Sequence, residues 1–179
     1  MIVGPRPRRL LLALHLSCSV GWIGVVCAYL VLAFAVPATD DPEVVRAAWI
    51  GMELIGWYAT VPLALGSLAT GLLMGAVTKW GLLRHYWVLI SLVGTVVLTA
   101  VLIMHMPSVT AQADRARTLG EEDLLAMGSD TTHAVIGLVL LIGIMMLNIF
   151  KPRGVTRYGW SKDRAARAAS RPGSTLSGG

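Results

Sequence analysis

Apolar positions along this chain fall into four long blocks, at roughly 10–36, 47–77, 87–106 and 134–150, separated by two short polar stretches and one longer one. A helix needs about 20 consecutive apolar residues to cross the hydrocarbon core of a bilayer, and lipid-exposed strands would leave their amides without partners. Each block therefore reads as a helix. The pattern predicts an all-α, polytopic membrane protein. A four-transmembrane-helix bundle occupies residues 1–158, and a basic tail over 159–179 has too few apolar residues to fold. The RPRR start and the later AFAVPA resemble a signal peptide, but apolar regions of signal peptides run about 7–15 residues. The first block is longer and reads as a retained span.

Punctuation inside the blocks refines the picture. Asp41-Pro42-Glu43 is a helix start, with a capping carboxylate, a proline in the first turn and an acid at the positive helix end. A helix from Pro42 to Val77 would be about 54 Å long, so it must project, tilt or break, and Pro62 is the expected kink. Ser67, Gly71 and Gly75 place small residues every fourth position, a stripe suited to close helix packing. Pro107 to Asp130 reads as a long loop, with a short surface helix expected over 109–119.

Composition and charge add direction. Hydrophobic residues make up 55% of the 179 positions and charged residues 14%, against about 25% charged in soluble domains. Of the 15 basic residues, 12 lie in the N-terminus, the connection holding Lys79 and Arg84, and the tail from Lys151 to Arg171. The other two connections hold Arg46, Arg115 and Arg117 and most of the acids. Basic residues concentrate on the cytoplasmic side, so both termini are expected inside and the acidic connections outside, in a bacterial cytoplasmic membrane. The tail is expected to meet anionic lipid headgroups. The same charge needs no nucleic acid to explain it.

Candidate chemistry rests on four histidines and one acid. His15, Ser19 and Trp22 share a helical stripe, and an imidazole at that depth needs a partner inside the bundle. His85 stands with Arg84, Tyr86 and Trp87 in an interfacial anchor group. His105 ends the third block, His133 begins the fourth, and Glu53 falls near the same boundary, with Met52, Met104, Met106 and Met127 expected close by. His15, His85, His105 and His133 are candidate cofactor ligands, for a haem b held between helices. Glu53, His105 and His133 are candidate metal ligands, for copper above all. His85 and His105 are 20 positions apart, about 200° around a regular helix, and would face different neighbours. Cys18 and Cys27, nine positions apart on one helix, cannot pair. No CxxCH, HEXXH, P-loop, nucleophile elbow or GxGxxG occurs.

The stretches LHLSCSVGWIGVVCAYL, MELIGWYATVPLALGSLATGL, WGLLRHYWVLI and KPRGVTRYGW resemble a bacterial, often actinobacterial, family of integral membrane proteins of unknown function. That family is distantly like the membrane part of copper-resistance protein D. The resemblance covers about Leu10 to Trp160. It implies a four-helix membrane protein with histidines of interest on the first, third and fourth helices, and carries no activity. In the family a lysine soon follows HYW, whereas Ser91 occupies VLISLVGTVV here.

With no catalytic motif, the sequence favours a non-enzymatic accessory or structural membrane protein. The alternatives are a haem- or copper-binding protein with an electron-transfer or copper-handling role, and a transporter subunit using Glu53 and His15. The transporter would need a homo-oligomer to enclose a path.

Overall fold

A computed structural model describes residues 4–77 and 85–152, together with Gly154, Thr156, Trp160, Ser161 and Arg164. Lys79, Arg84 and nearly all of the basic tail lie outside the described residues. The chain is all-α, with no strand among the described residues. In order come α1 (Pro5–Ala35), a short 3-10 turn (Val36–Ala38), α2 (Pro42–Ile55), a π turn (Gly56–Thr60), α3 (Val61–Val77), α4 (Tyr86–Thr118), α5 (Glu121–Leu125) and α6 (Thr131–Phe150). Four helices are long and apolar enough to cross a membrane: α1, the α2–α3 rod, α4 and α6.

The second span starts as its residues dictate. The Asp41 carboxylate accepts the Glu43 amide at 2.9 Å and caps α2. Pro62 has no N–H to give the carbonyl four residues back. The strain is taken up just before it, where the Val61 amide reaches the Gly56 carbonyl in a π turn. The Thr60 hydroxyl also donates to the Ile55 carbonyl at 3.1 Å, tying the turn together.

Inside the bundle α1 lies against α3 through small residues. Thr70 donates its hydroxyl proton to the Gly66 carbonyl at 2.6 Å. Its oxygen lies 3.0 Å from His15 Nδ1, so the imidazole donates to it. Ser19 and Ser67 hydroxyls meet at 2.8 Å, and a side chain added at Gly71 would run into the His15 ring. The stripe of small residues is thus what lets two apolar helices approach closely enough to share hydrogen bonds. The partner that His15 needs is a threonine on a neighbouring span. Interhelical bonds of this kind contribute about 0.6 kcal/mol on average in membranes. Thr70→Ala should therefore lower stability by about that amount, read as a small drop in the thermal unfolding midpoint in mild detergent.

The reading of Pro107–Asp130 as a loop is corrected. α4 runs unbroken through Pro107 to Thr118, and the expected surface helix over 109–119 is its continuation. Met106, Val109, Ala113 and Ala116, spaced three and four apart, are buried against α2. That packing outweighs the one backbone bond that proline removes. Arg46 of α2 closes the far end, donating to the Ala116 carbonyl at 2.6 Å and the Leu119 carbonyl at 3.3 Å. At about 50 Å, α4 outreaches the hydrocarbon core. Its surplus, with α2 and α5, forms a cap at one end of the bundle, where Leu124 of α5 is fully buried.

Candidate functional site

Beneath this cap three side chains, from three spans, converge on one carboxylate. Asp130 occupies the N-cap position of α6, yet its side chain accepts no backbone amide of that helix, unlike Asp41. Its neighbours hold it in place instead: the Ser129 and Thr131 hydroxyls both donate to the Ala33 carbonyl at the end of α1. The Asp130 carboxylate is left to turn inward.

Tyr29 of α1 donates its phenol proton to Asp130 Oδ2 at 2.6 Å. His105 Nε2 of α4 lies 2.9 Å from the same oxygen. His133 Nδ1 of α6 lies 2.9 Å from Oδ1. An ionised carboxylate only accepts, so both imidazole nitrogens facing it carry protons. The two rings stack at 4.3 Å between centroids, tilted by 29°. Asp130 is 7% exposed and the His133 side chain 65%. The cluster is therefore anchored in the core and open on one side.

Of the sequence candidates, His105 and His133 come together and the others do not. Glu53 pairs with Arg117 of α4, and no bond joins it to the histidines among the described residues. His15 is bonded within the α1–α3 interface. His85 has extended backbone geometry at the N-cap of α4, 20 residues and about 30 Å along the helix from His105, with its ring 6.3 Å from that of Trp87. Met52 and Met106 fill the core, Met127 packs at its edge and Met104 is 80% exposed. Two members, Asp130 and Tyr29, were not singled out by sequence reading. The available signal was the spacing Asp130–His133, one helical turn at the start of an apolar block.

Among the described residues no serine, threonine or cysteine side chain faces a base in this cluster, and the hydroxyl that does is the Tyr29 phenol, held against Asp130. It is also not that of a haem with two axial histidines, because rings stacked at 4.3 Å leave no room for a macrocycle between them. Two imidazoles and a carboxylate, with ligand atoms all within 4.8 Å of one another, form a group able to hold a metal ion. No protein-family model, curated protein or solved structure matches this chain.

Proposed function

We propose that this chain is a non-enzymatic, multi-pass protein of the bacterial cytoplasmic membrane, with both termini inside, serving as an accessory or structural component that presents a rigid cap outside. The carrying observation is how the polar groups within its spans are used. His15 with Thr70, Ser19 with Ser67 and Asn148 with Ser91 each bond across a helix pair. Polar residues spent on fastening helices to one another leave none of these pairs arranged as a transport path or a reaction centre. The likeness to the bacterial membrane-protein family is part of the same proposal. So is the contact of the basic tail with anionic headgroups. The cap carries Asp114, Glu121, Glu122 and Asp123, and the positive-inside rule supports placing it outside.

Two measurements test this reading. In a variant lacking Cys18 and Cys27, a membrane-impermeant thiol reagent applied to whole cells should label Gly120→Cys. It should label Gly4→Cys only after permeabilisation. The reverse pattern would overturn the orientation. The purified protein should show no Soret band before or after dithionite. A band that shifts on reduction would replace the accessory role with that of a membrane cytochrome.

A further inference from the structure

Asp130 is 7% exposed, and a buried charge is kept only where it is paired or bound to a metal. Among the described residues no lysine or arginine pairs with it. Arg46 is held by Glu43 and two carbonyls, Arg115 by Gln112, and Arg117 by Glu53 and Asp114. Tyr29 supplies a neutral donor. The groups placed against the carboxylate are the two imidazoles, one nitrogen of each at 2.9 Å, and these ligand atoms all lie within 4.8 Å of one another.

We propose that His105, Asp130 and His133 bind one divalent transition-metal ion of the zinc class at the capped end of the bundle. The proposal goes beyond the accessory role and does not depend on it. Two imidazole nitrogens and one carboxylate oxygen suit a borderline cation such as Zn²⁺, and three protein ligands leave a fourth position for water. The exposed side of His133 supplies the opening for that water. On a tetrahedral ion with bonds of about 2.1 Å, neighbouring ligand atoms lie about 3.4 Å apart, whereas here they lie within 4.8 Å. Rotation of the exposed His133 ring can close the difference. On loading, each neutral ring keeps one proton, moved to the nitrogen facing away from the metal. A ring that begins as imidazolium releases one proton to solvent. The metal would set positive charge beside Asp130 and fix both rings at once.

Tyr29 is a positioning residue in this site. Its phenol holds Asp130 Oδ2 at 2.6 Å, as outer-shell donors do for metal-bound carboxylates. Glu53, the acid that the sequence offered as a ligand, has no part in it.

The test uses the full chain in mild detergent, stripped with a chelator and titrated with Zn²⁺ by calorimetry, with Co²⁺ absorption reporting the ligand geometry. One Zn²⁺ per chain is expected. His133→Ala should weaken binding by more than the roughly 10–100-fold that loss of an outer-shell partner costs, and Tyr29→Phe by that 10–100-fold. Glu53→Gln and His15→Ala should bind as the parent does. His133→Ala removes an exposed side chain, so unchanged circular dichroism and elution volume serve as its folding control. Absence of saturable binding at micromolar Zn²⁺ would overturn the proposal, leaving a cluster joined by hydrogen bonds alone. So would unchanged affinity in His133→Ala. Either result leaves the thiol-labelling outcome untouched, so the two readings fail separately.

Discussion

Asp130→Ala is expected to lower stability by about 3 kcal/mol, the largest effect of any single change at the capped end. Three donors converge on this carboxylate, from α1, α4 and α6. Hydrogen bonds to a charged acceptor contribute about 1.5–3 kcal/mol, and a buried donor left without a partner costs about 1–3 kcal/mol. The three donors will not suffer equally. His133 is exposed enough to return to water at little cost. The Tyr29 phenol is buried and has no such route, and His105 is intermediate. The cost therefore falls mainly on Tyr29 and His105. Two orphans at these magnitudes exceed the average interhelical bond in a membrane by several-fold. The effect should appear as a drop in the unfolding midpoint followed by circular dichroism in detergent. Adding Tyr29→Phe to Asp130→Ala removes one orphan, so the double variant should lose less than the sum of the two single losses. A loss below about 1 kcal/mol for Asp130→Ala would mean that water replaces the carboxylate and the cluster is not a tie.

Gly56→Val is expected to cost about 2 kcal/mol for a different reason. Gly56 opens the π turn with φ −58° and ψ −58°, so nothing in its backbone demands glycine. The constraint is space, since a Cβ there would collide with Sδ and Cε of Met106. Met106 is a flexible side chain, but at 1% exposure its displaced end must find room within the core rather than in solvent. A glycine in a helix interior costs about 1 kcal/mol against alanine, so a larger residue gains something locally. Overpacking a filled core costs about 1–3 kcal/mol, and valine's branching spends most of the propensity gain. Gly137 of α6 is the comparison. A Cβ there meets nothing within 4 Å, so Gly137→Ala should cause no loss. Equal midpoints for the two variants would show that Met106 yields and that the contact is not limiting.

The four spans were legible because lipid imposes one requirement, a long apolar block, and the chain meets it four times. The start at Asp41 was legible for a similar reason, since its capping bond is local. The long α4 was not read as one helix because Pro107 is a strong stop signal in sequence. The opposing signal was present in Met106, Val109, Ala113 and Ala116, whose spacing is helical. Its meaning depended on the α2 surface that buries it. Glu53 was expected beside the two histidines, but its bonding partner is Arg117. Its partner Arg117 sits 64 positions later, beyond the reach of any local pattern. Tyr29 was hidden in the same way, inside a block whose apolar character concealed its hydroxyl. Meeting of His105 and His133 was expected from their shared boundary. That their common partner would be Asp130 follows from the Ser129 and Thr131 bonds to α1, which no spacing in the chain announces.

The bond between Tyr29 and Asp130 joins residues 101 positions apart. Ribosomes add roughly 5–20 residues per second. The phenol on the first span therefore waits roughly 5–20 s, during synthesis, for a carboxylate that has not yet been made. Through that interval α1 has α3 to lie against, its small-residue seam complete as soon as the second span is in place. The chain thus assembles from its quiet, close-packed side first, and its polar end is closed by the last span to arrive.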